Sequence, residues 1–131
     1  MIRRTIGAAL LVFSAAAAQA GVAVVGHPSA SPLTKAQVEE IFLGKSQAAT
    51  PLDLPEDSPV RAEFYTKATG RDAAQIKATW SRIAFSGKGQ PPKVLGDAAA
   101  VKKAVAADPK AVGYIDKSAV DGSVKVLLTL D

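Results

Sequence analysis

The residue types in this chain that could do chemistry are suited to holding an anion, and they are concentrated around Ser58. Ser58 followed by Pro59 predicts the start of a helix, with serine as the N-cap and proline at the first helical position. A helix N-terminus presents free N–H donors and a partial positive charge. Arg61 follows at about the third helical position, where its guanidinium could donate two hydrogen bonds to a phosphate or a carboxylate. We therefore expect Ser58 and Arg61 to bind a small oxyanion.

The same segment also permits a purely structural interpretation. Pro59 has no N–H to donate, and Val60 has no hydroxyl. Glu56 and Asp57 place negative charge beside the proposed anion. The alternative is a simple helix cap with an exposed Arg61 near its acidic neighbours, and the residues alone leave both interpretations open.

Two further loops carry groups suited to an anion. Ser29 and Ser31 follow the first apolar run, and loops at the carboxyl ends of strands bind ligands in α/β sheets. Residues 86–89 read S-G-K-G and could form a backbone concavity for an anion, although they lack the spacing of a nucleotide-binding P-loop. The alternatives are a solvated turn around His27 and a flexible connector at residues 86–89.

Composition excludes several classes of function. The chain has no cysteine and a single histidine, so neither thiol chemistry nor a closed zinc site is expected. No nucleophile–base pair and no paired carboxylates are evident, which predicts a protein that is not an enzyme and needs no cofactor. The lysines are spread along the chain without interleaved aromatic residues, so we expect no nucleic-acid binding.

Residues 1–20 have the three parts of a secretory signal peptide. Two arginines precede an apolar stretch at residues 6–18, which is shorter than the roughly 20 residues of a membrane-spanning helix. Small residues then lead to Ala20, and we expect cleavage after it. The sequence thus predicts a periplasmic protein without stable membrane insertion, and the alternative is an uncleaved anchor. Loss of the two arginines lowers the net charge from +4 to +2.

Residues 21–131 predict one α/β domain, in which helices flank a mixed or mostly parallel sheet. Capping patterns and glycine stops mark the helices, and short apolar runs mark the strands. We expect strands near residues 22–25, 51–54, 93–95, 111–115 and 124–130, helices starting near Thr34, Ser58, Asp72 and Asp97, and a core that contains Phe42, Phe64, Trp80, Phe85 and Tyr114.

Four segments of the domain carry a resemblance to a known family. They are residues 41–45 (I-F-L-G-K), 57–64 (D-S-P-V-R-A-E-F), 80–89 (W-S-R-I-A-F-S-G-K-G) and 111–115 (A-V-G-Y-I). In this order and spacing they resemble the phosphate-binding, substrate-binding proteins of ABC transporters, in a short form. The resemblance implies one lobe of a type II periplasmic-binding-protein fold. It also implies that Ser58-Pro59-Val60 stands where the family holds phosphate with a Ser-Gly-Thr segment.

Two functions from different classes follow. The first is a periplasmic protein that binds phosphate or a similar oxyanion for uptake or sensing, with an ABC transporter as its partner. We expect weak binding, because one lobe leaves the site open to water. The second is an interaction module that has lost its ligand and docks onto another envelope protein. The departures at Pro59 and Val60 favour this second function.

Overall fold

The structure, a computed structural model, describes residues 21–131, and the predicted signal peptide at residues 1–20 lies outside the described residues. The elements alternate between strand and helix along most of the chain. In order they are β1 (Val22–Gly26), α1 (Lys35–Phe42), β2 (Thr50–Asp53), α2 (Pro59–Thr69), α3 (Ala73–Phe85), β3 (Lys93–Val94), α4 (Ala98–Ala107), β4 (Ala111–Asp116), a short 3-10 turn (Lys117–Ala119) and β5 (Lys125–Leu130). The predicted strands and helices are present, with their ends shifted by a residue or two.

The five strands form one mixed sheet in the order β3-β2-β4-β1-β5. Strand β2 is parallel to both β3 and β4, whereas β1 is antiparallel to both of its neighbours, β4 and β5. The carboxyl ends of β2, β3 and β4 therefore meet at one edge of the sheet. The carboxyl end of β1 lies at the opposite edge, since Gly26 pairs with Val112 and Val22 pairs with Asp116. The predicted α/β fold class is confirmed.

Side-chain caps set the start of each helix. Thr34 and Asp72 form capping boxes with the glutamines three residues on, as the sequence predicts. The Ser58 hydroxyl accepts a hydrogen bond from the Arg61 amide at 3.3 Å, and Pro59 is the first helical residue of α2. The chain therefore turns into α2 directly after β2, which places the start of this helix at the carboxyl edge of the sheet.

An aromatic cluster between α1, α2 and β4 forms the centre of the core. Phe64 stacks on Tyr114 with ring centroids 4.0 Å apart, and Phe42 meets Phe64 edge-on at 4.7 Å. Phe42, Phe64, Trp80 and Tyr114 are buried, which confirms their predicted role in packing. Tyr65 is buried in the same cluster.

The prediction that Phe85 lies in the core is wrong. Phe85 is 95% exposed, because it lies nine residues after the buried Ile76. Nine steps of about 100° carry a side chain to the opposite face of a helix. The preceding Ala84 is exposed as well. The apolar run at the end of α3 therefore leaves an aromatic ring in solvent.

Candidate anion-binding site

The N-termini of α2 and α4 border the same cavity, which has a volume of about 390 Å³. Ser58 caps α2 on one side, and on the other Asp97 caps α4 by accepting a hydrogen bond from the Ala100 amide at 2.9 Å. Both helices begin at the edge where β2, β3 and β4 end. Two helix ends, each with a partial positive charge, therefore border one space at the edge where the parallel strands of the sheet end.

Three carboxylates also line this cavity, from Asp57, Asp97 and Asp116. The Ser118 hydroxyl and amide both donate to Asp116, and these hydrogen bonds hold the pKa of that carboxyl below its usual value. Each helix end contributes roughly half a positive charge, so the two together do not offset three full negative charges. The electrostatics of the cavity oppose a multiply charged anion, although the backbone geometry suits one.

Arg61 does not reach this cavity. Its Nη1 donates to the Leu54 carbonyl at 2.9 Å and lies 3.2 Å from an Asp53 carboxylate oxygen. Its guanidinium also lies over the Tyr65 ring, 5.4 Å from the centroid. Arg61 is only 9% exposed, and it lines a different cavity from Ser58. The interpretation of Arg61 as an exposed arginine beside Glu56 and Asp57 is therefore wrong, because the buried Asp53 attracts the side chain inward.

Asp53 is the centre of a buried polar network that sequence reasoning missed. Its carboxylate accepts hydrogen bonds from Tyr65 Oη at 2.7 Å, from Tyr114 Oη, and from the Leu54 amide at 2.9 Å. Burial, followed by the neighbouring Asp53 charge, raises the pKa of both tyrosines well above the ordinary value. The one signal in the sequence is an acidic residue within the apolar run P-L-D-L. This network explains why Arg61 turns inward.

Ser29 and Ser31 lie at the other edge of the sheet. Both are exposed and follow β1, which runs antiparallel to β4, so they do not join Ser58. The Ser29 hydroxyl is 2.8 Å from His27 Nδ1, and Ser31 borders a separate, mainly apolar cavity of about 200 Å³. The loop after β1 therefore lies apart from the loops after β2 and β4, because only strands that run in the same direction end at the same edge of a sheet.

Lys88 borders a cavity of about 300 Å³ at the amino ends of β2 and β4. Lys110 lies across this cavity, and its carbonyl accepts a hydrogen bond from the Thr50 amide at 2.7 Å. Hydroxyl, amide and apolar side chains form the rest of the lining, and no carboxylate lies among the residues that form it. The cavity has the charge an anion prefers, but its lysines are exposed side chains without a buried anchor.

Comparison with solved structures identifies the fold. The chain is similar to an ABC-type phosphate transport receptor from Vibrio cholerae, with 21% identity and a TM-score of 0.63 over 82% of this chain and 45% of that one. It is also similar to a putative phosphate ABC transporter substrate-binding protein with bound phosphate from Clostridium perfringens, with 21% identity and a TM-score of 0.65 over 82% and 44% of the two chains. The fold is that of one lobe of a periplasmic binding protein. The resemblance seen in the sequence motifs is thus confirmed at the level of the fold.

The chain spans less than half the length of each of these structures. No family model matches it, and no curated protein matches it by sequence. Within residues 21–131 of the lobe, no three His, Asp or Glu side chains are grouped so as to hold a metal ion. No helix in this described part is long and apolar enough to cross a membrane.

Proposed function

We propose that this chain is a periplasmic substrate-binding-type protein that binds phosphate or a similar small oxyanion, for uptake or for sensing. The proposed site is the cavity between the N-termini of α2 and α4, with Ser58 at its border. The convergence of two helix N-termini at the carboxyl edge of the sheet carries this proposal. The bound phosphate named for the Clostridium perfringens structure supports the choice of anion.

The proposed binding is weak. Three carboxylates line the cavity, and the Arg61 guanidinium is engaged with Asp53 instead of the anion. One lobe also leaves the anion in contact with water, which competes for the same N–H donors. We expect dissociation constants near the millimolar range, about −4 kcal/mol, rather than the micromolar range at about −8 kcal/mol.

The substitution Ser58→Asp separates anion binding from helix capping. Aspartate is as good an N-cap as serine, so α2 should keep its stability, while the added negative charge repels an anion. We expect phosphate affinity to fall about tenfold or more, which corresponds to about 1.4 kcal/mol. Thr34→Asp is the matched control, because it adds the same charge to the N-cap of α1, which does not border this cavity. The measurement is a phosphate titration followed by backbone amide chemical shifts.

The location of the shifts decides between the candidate sites. Shifts centred on residues 58–62 and 97–100 that are lost in Ser58→Asp support the proposed site. Shifts centred on Lys88 and Lys110, lost in a Lys88→Ala, Lys110→Ala double variant, would place the anion in the lysine-lined cavity instead. A spectrum and a melting temperature that do not respond to tens of millimolar phosphate or sulfate, about ten times the expected dissociation constant, would contradict oxyanion binding altogether.

A specific observation favours a second candidate function, docking onto another envelope protein such as an ABC transporter subunit. Phe85 is 95% exposed and Val94 is 53% exposed, although both are large apolar side chains. Val94 also borders a cavity of about 260 Å³. A partner that covered both side chains would remove their apolar surface from water.

A further inference from the structure

The main-chain nitrogen of Gly21, which directly precedes β1, lies beside a carboxylate of α2. This nitrogen is 3.4 Å from Glu63 Oε2, and Gly21 is buried. The same carboxylate oxygen accepts a hydrogen bond from Lys67 Nζ at 2.7 Å. The two oxygens of a carboxylate offer about four lone-pair sites, so Glu63 can accept hydrogen bonds from both donors.

A second ion pair also packs against Gly21. Lys117 Nζ lies 2.6 Å from Asp131 Oδ1, and the Lys117 amide donates to the Gly21 carbonyl at 3.2 Å. A Cβ on Gly21 would collide with the Lys117 side chain and would lie 3.2 Å from Asp131 Oδ1. The φ angle of +95° at Gly21 also favours glycine. The fold therefore requires a glycine here and fixes its nitrogen beside Glu63.

Cleavage after Ala20 would change the charge at this point. In the unprocessed chain the Gly21 nitrogen is a neutral amide, whereas in the processed chain it is an α-ammonium. That group is charged at neutral pH, because its ordinary pKa is about 8. An ammonium attracts the Glu63 carboxylate more strongly than an amide does, because both partners are then charged. The Glu63 side chain is 29% exposed, so water screens this attraction only in part.

We propose that removal of residues 1–20 completes the fold, because the new ammonium of Gly21 forms an ion pair with Glu63. This pair makes the processed protein more stable than a chain that retains residues before Gly21. Stability is thus added in the step that releases the protein. The proposal rests on the predicted cleavage after Ala20, and it is independent of phosphate binding and of docking.

The test inserts one serine between Ala20 and Gly21 of the full chain. Cleavage after Ala20 then leaves the ammonium on the serine and keeps the Gly21 nitrogen as an amide. We expect the melting temperature of the exported protein to fall by about 2–4 °C at pH 7. Mass spectrometry of both exported proteins establishes where each chain begins.

Two glutamine variants show whether the fall arises from Glu63. In Glu63→Gln the insertion should no longer lower the melting temperature, because the ammonium has no carboxylate to lose. The substitution also removes the ion pair with Lys67, but that loss is common to both proteins and cancels from the difference. Glu40→Gln, at an exposed position of α1, is the matched control and should leave the fall unchanged.

The pH dependence identifies the charge that is responsible. The pair stabilises only while the Gly21 amine is protonated, so the fall should be present at about pH 7 and nearly absent at about pH 10. Lys67, Lys117 and Asp131 also lie beside Gly21, but both proteins contain them, so their own titration cancels.

Four results would overturn the proposal. They are a mature chain that begins at a residue other than Gly21, an insertion that leaves the melting temperature unchanged, a fall of the same size in Glu63→Gln, and a fall of the same size at about pH 10. Either of the last two would show that the insertion disturbs packing around Gly21 without acting through an ion pair.

Discussion

The carboxylate of Asp53 accepts hydrogen bonds from donors on several elements of the fold. Tyr65 and Arg61 reach it from α2, Tyr114 reaches it from β4, and the Leu54 amide reaches it from the end of β2. A buried carboxylate needs such donors, because its water shell is lost on folding. The network therefore connects α2 to the sheet, and Arg61 has a structural role in it. Leu54, whose amide belongs to the network, also borders the cavity of the proposed anion site.

Removing Arg61 should be strongly destabilising. Arg61→Met keeps much of the side-chain volume but leaves Asp53 buried without its cation, and loss of one partner of a buried pair costs about 3–5 kcal/mol. Urea unfolding measures the loss of unfolding free energy. The exposed Arg82 on α3 provides the control, because Arg82→Met should change stability by about 0.5 kcal/mol or less. Equal stabilities of the two variants would show that hydrogen bonds from the tyrosine hydroxyls are enough to stabilise the buried Asp53 carboxylate without the arginine.

The two buried tyrosines predict a loss of stability at alkaline pH. In the folded state, burial and the Asp53 charge raise the pKa of Tyr65 and Tyr114, while in the unfolded state both ionise near pH 10. Above that pH the unfolded state has released the protons that the folded state retains. The free energy of unfolding should therefore fall by about 1.4 kcal/mol per pH unit for each tyrosine, and this contribution is fully present below about pH 10.

Urea unfolding at several pH values between about 9 and 11 tests this slope. Tyr65→Phe lowers stability at the starting pH, because Asp53 loses a donor. It should nevertheless show about half the alkaline slope of the unchanged chain, because only Tyr114 then remains to titrate. Identical slopes in the two proteins would mean that other groups cause the alkaline loss.

At the scale of elements, the glycines at the ends of α1 and α2 differ in how closely other side chains pack around them. Gly44 and Gly70 both adopt positive φ angles, +79° and +72°. A Cβ on Gly44 would lie 2.8 Å from Ile83 Cδ1 and 3.0 Å from Trp80 Cη2, whereas a Cβ on Gly70 would meet nothing within 4 Å. The end of α1 therefore packs tightly against α3, and the end of α2 lies open.

A pair of alanine substitutions tests this difference. Gly70→Ala should cost about 1 kcal/mol, from backbone strain alone. Gly44→Ala should cost about 2–3 kcal/mol, because the tryptophan ring adds a steric term to the same strain. Thermal or urea unfolding measures both variants, and Gly70→Ala serves as the control for backbone strain. Similar losses for the two would show that Trp80 yields to the added methyl group.

At the scale of the whole molecule, the predicted cleavage after Ala20 leaves Gly21 as the first residue. The Gly21 nitrogen lies 3.4 Å from Glu63 Oε2, which also pairs with Lys67 at 2.7 Å. Cleavage would turn this amide into an ammonium beside a carboxylate. We therefore expect the new terminus to be held against α2.

Mass spectrometry of the exported protein tests this prediction, and loss of residues 1–20 is the expected result. Ala20→Leu removes the small residue that a signal peptidase requires and should leave the precursor intact. Ser29→Leu is the control, because it adds the same side chain at an exposed position beyond the cleavage point and should leave processing unchanged. Recovery of an intact Met1 from the membrane fraction of the unchanged protein would contradict the signal-peptide prediction.

Local patterns predicted the elements well, because their causes are local. The hydroxyl of a cap such as Thr34 or Ser58 accepts a hydrogen bond from the amide three residues on, so both partners lie within one turn of the helix. Phe85 was misplaced although its spacing of nine residues from Ile76 already puts it on the opposite face of the helix.

The candidate site was less predictable. Ser58 was correctly placed as a helix cap, but its relation to Arg61, Ser29 and Ser31 depended on distant parts of the chain. The sequence alone offered no sign that α4 starts beside α2, or that two more aspartates face the same cavity. Whether an anion binds there stays a prediction.

The sequence by itself determined which segments form strands and helices, to within a residue or two, because caps, glycine stops and apolar periodicity act over a few residues. It also determined that these segments alternate as in an α/β lobe. Only the tertiary structure decided that β1 is antiparallel to its neighbours β4 and β5. Ser29 therefore lies at the opposite edge of the sheet from Ser58. It also decided the direction of Arg61. Asp53 is eight residues away in sequence but is buried by the sheet, and a buried carboxylate draws the nearest cation inward, away from the helix end.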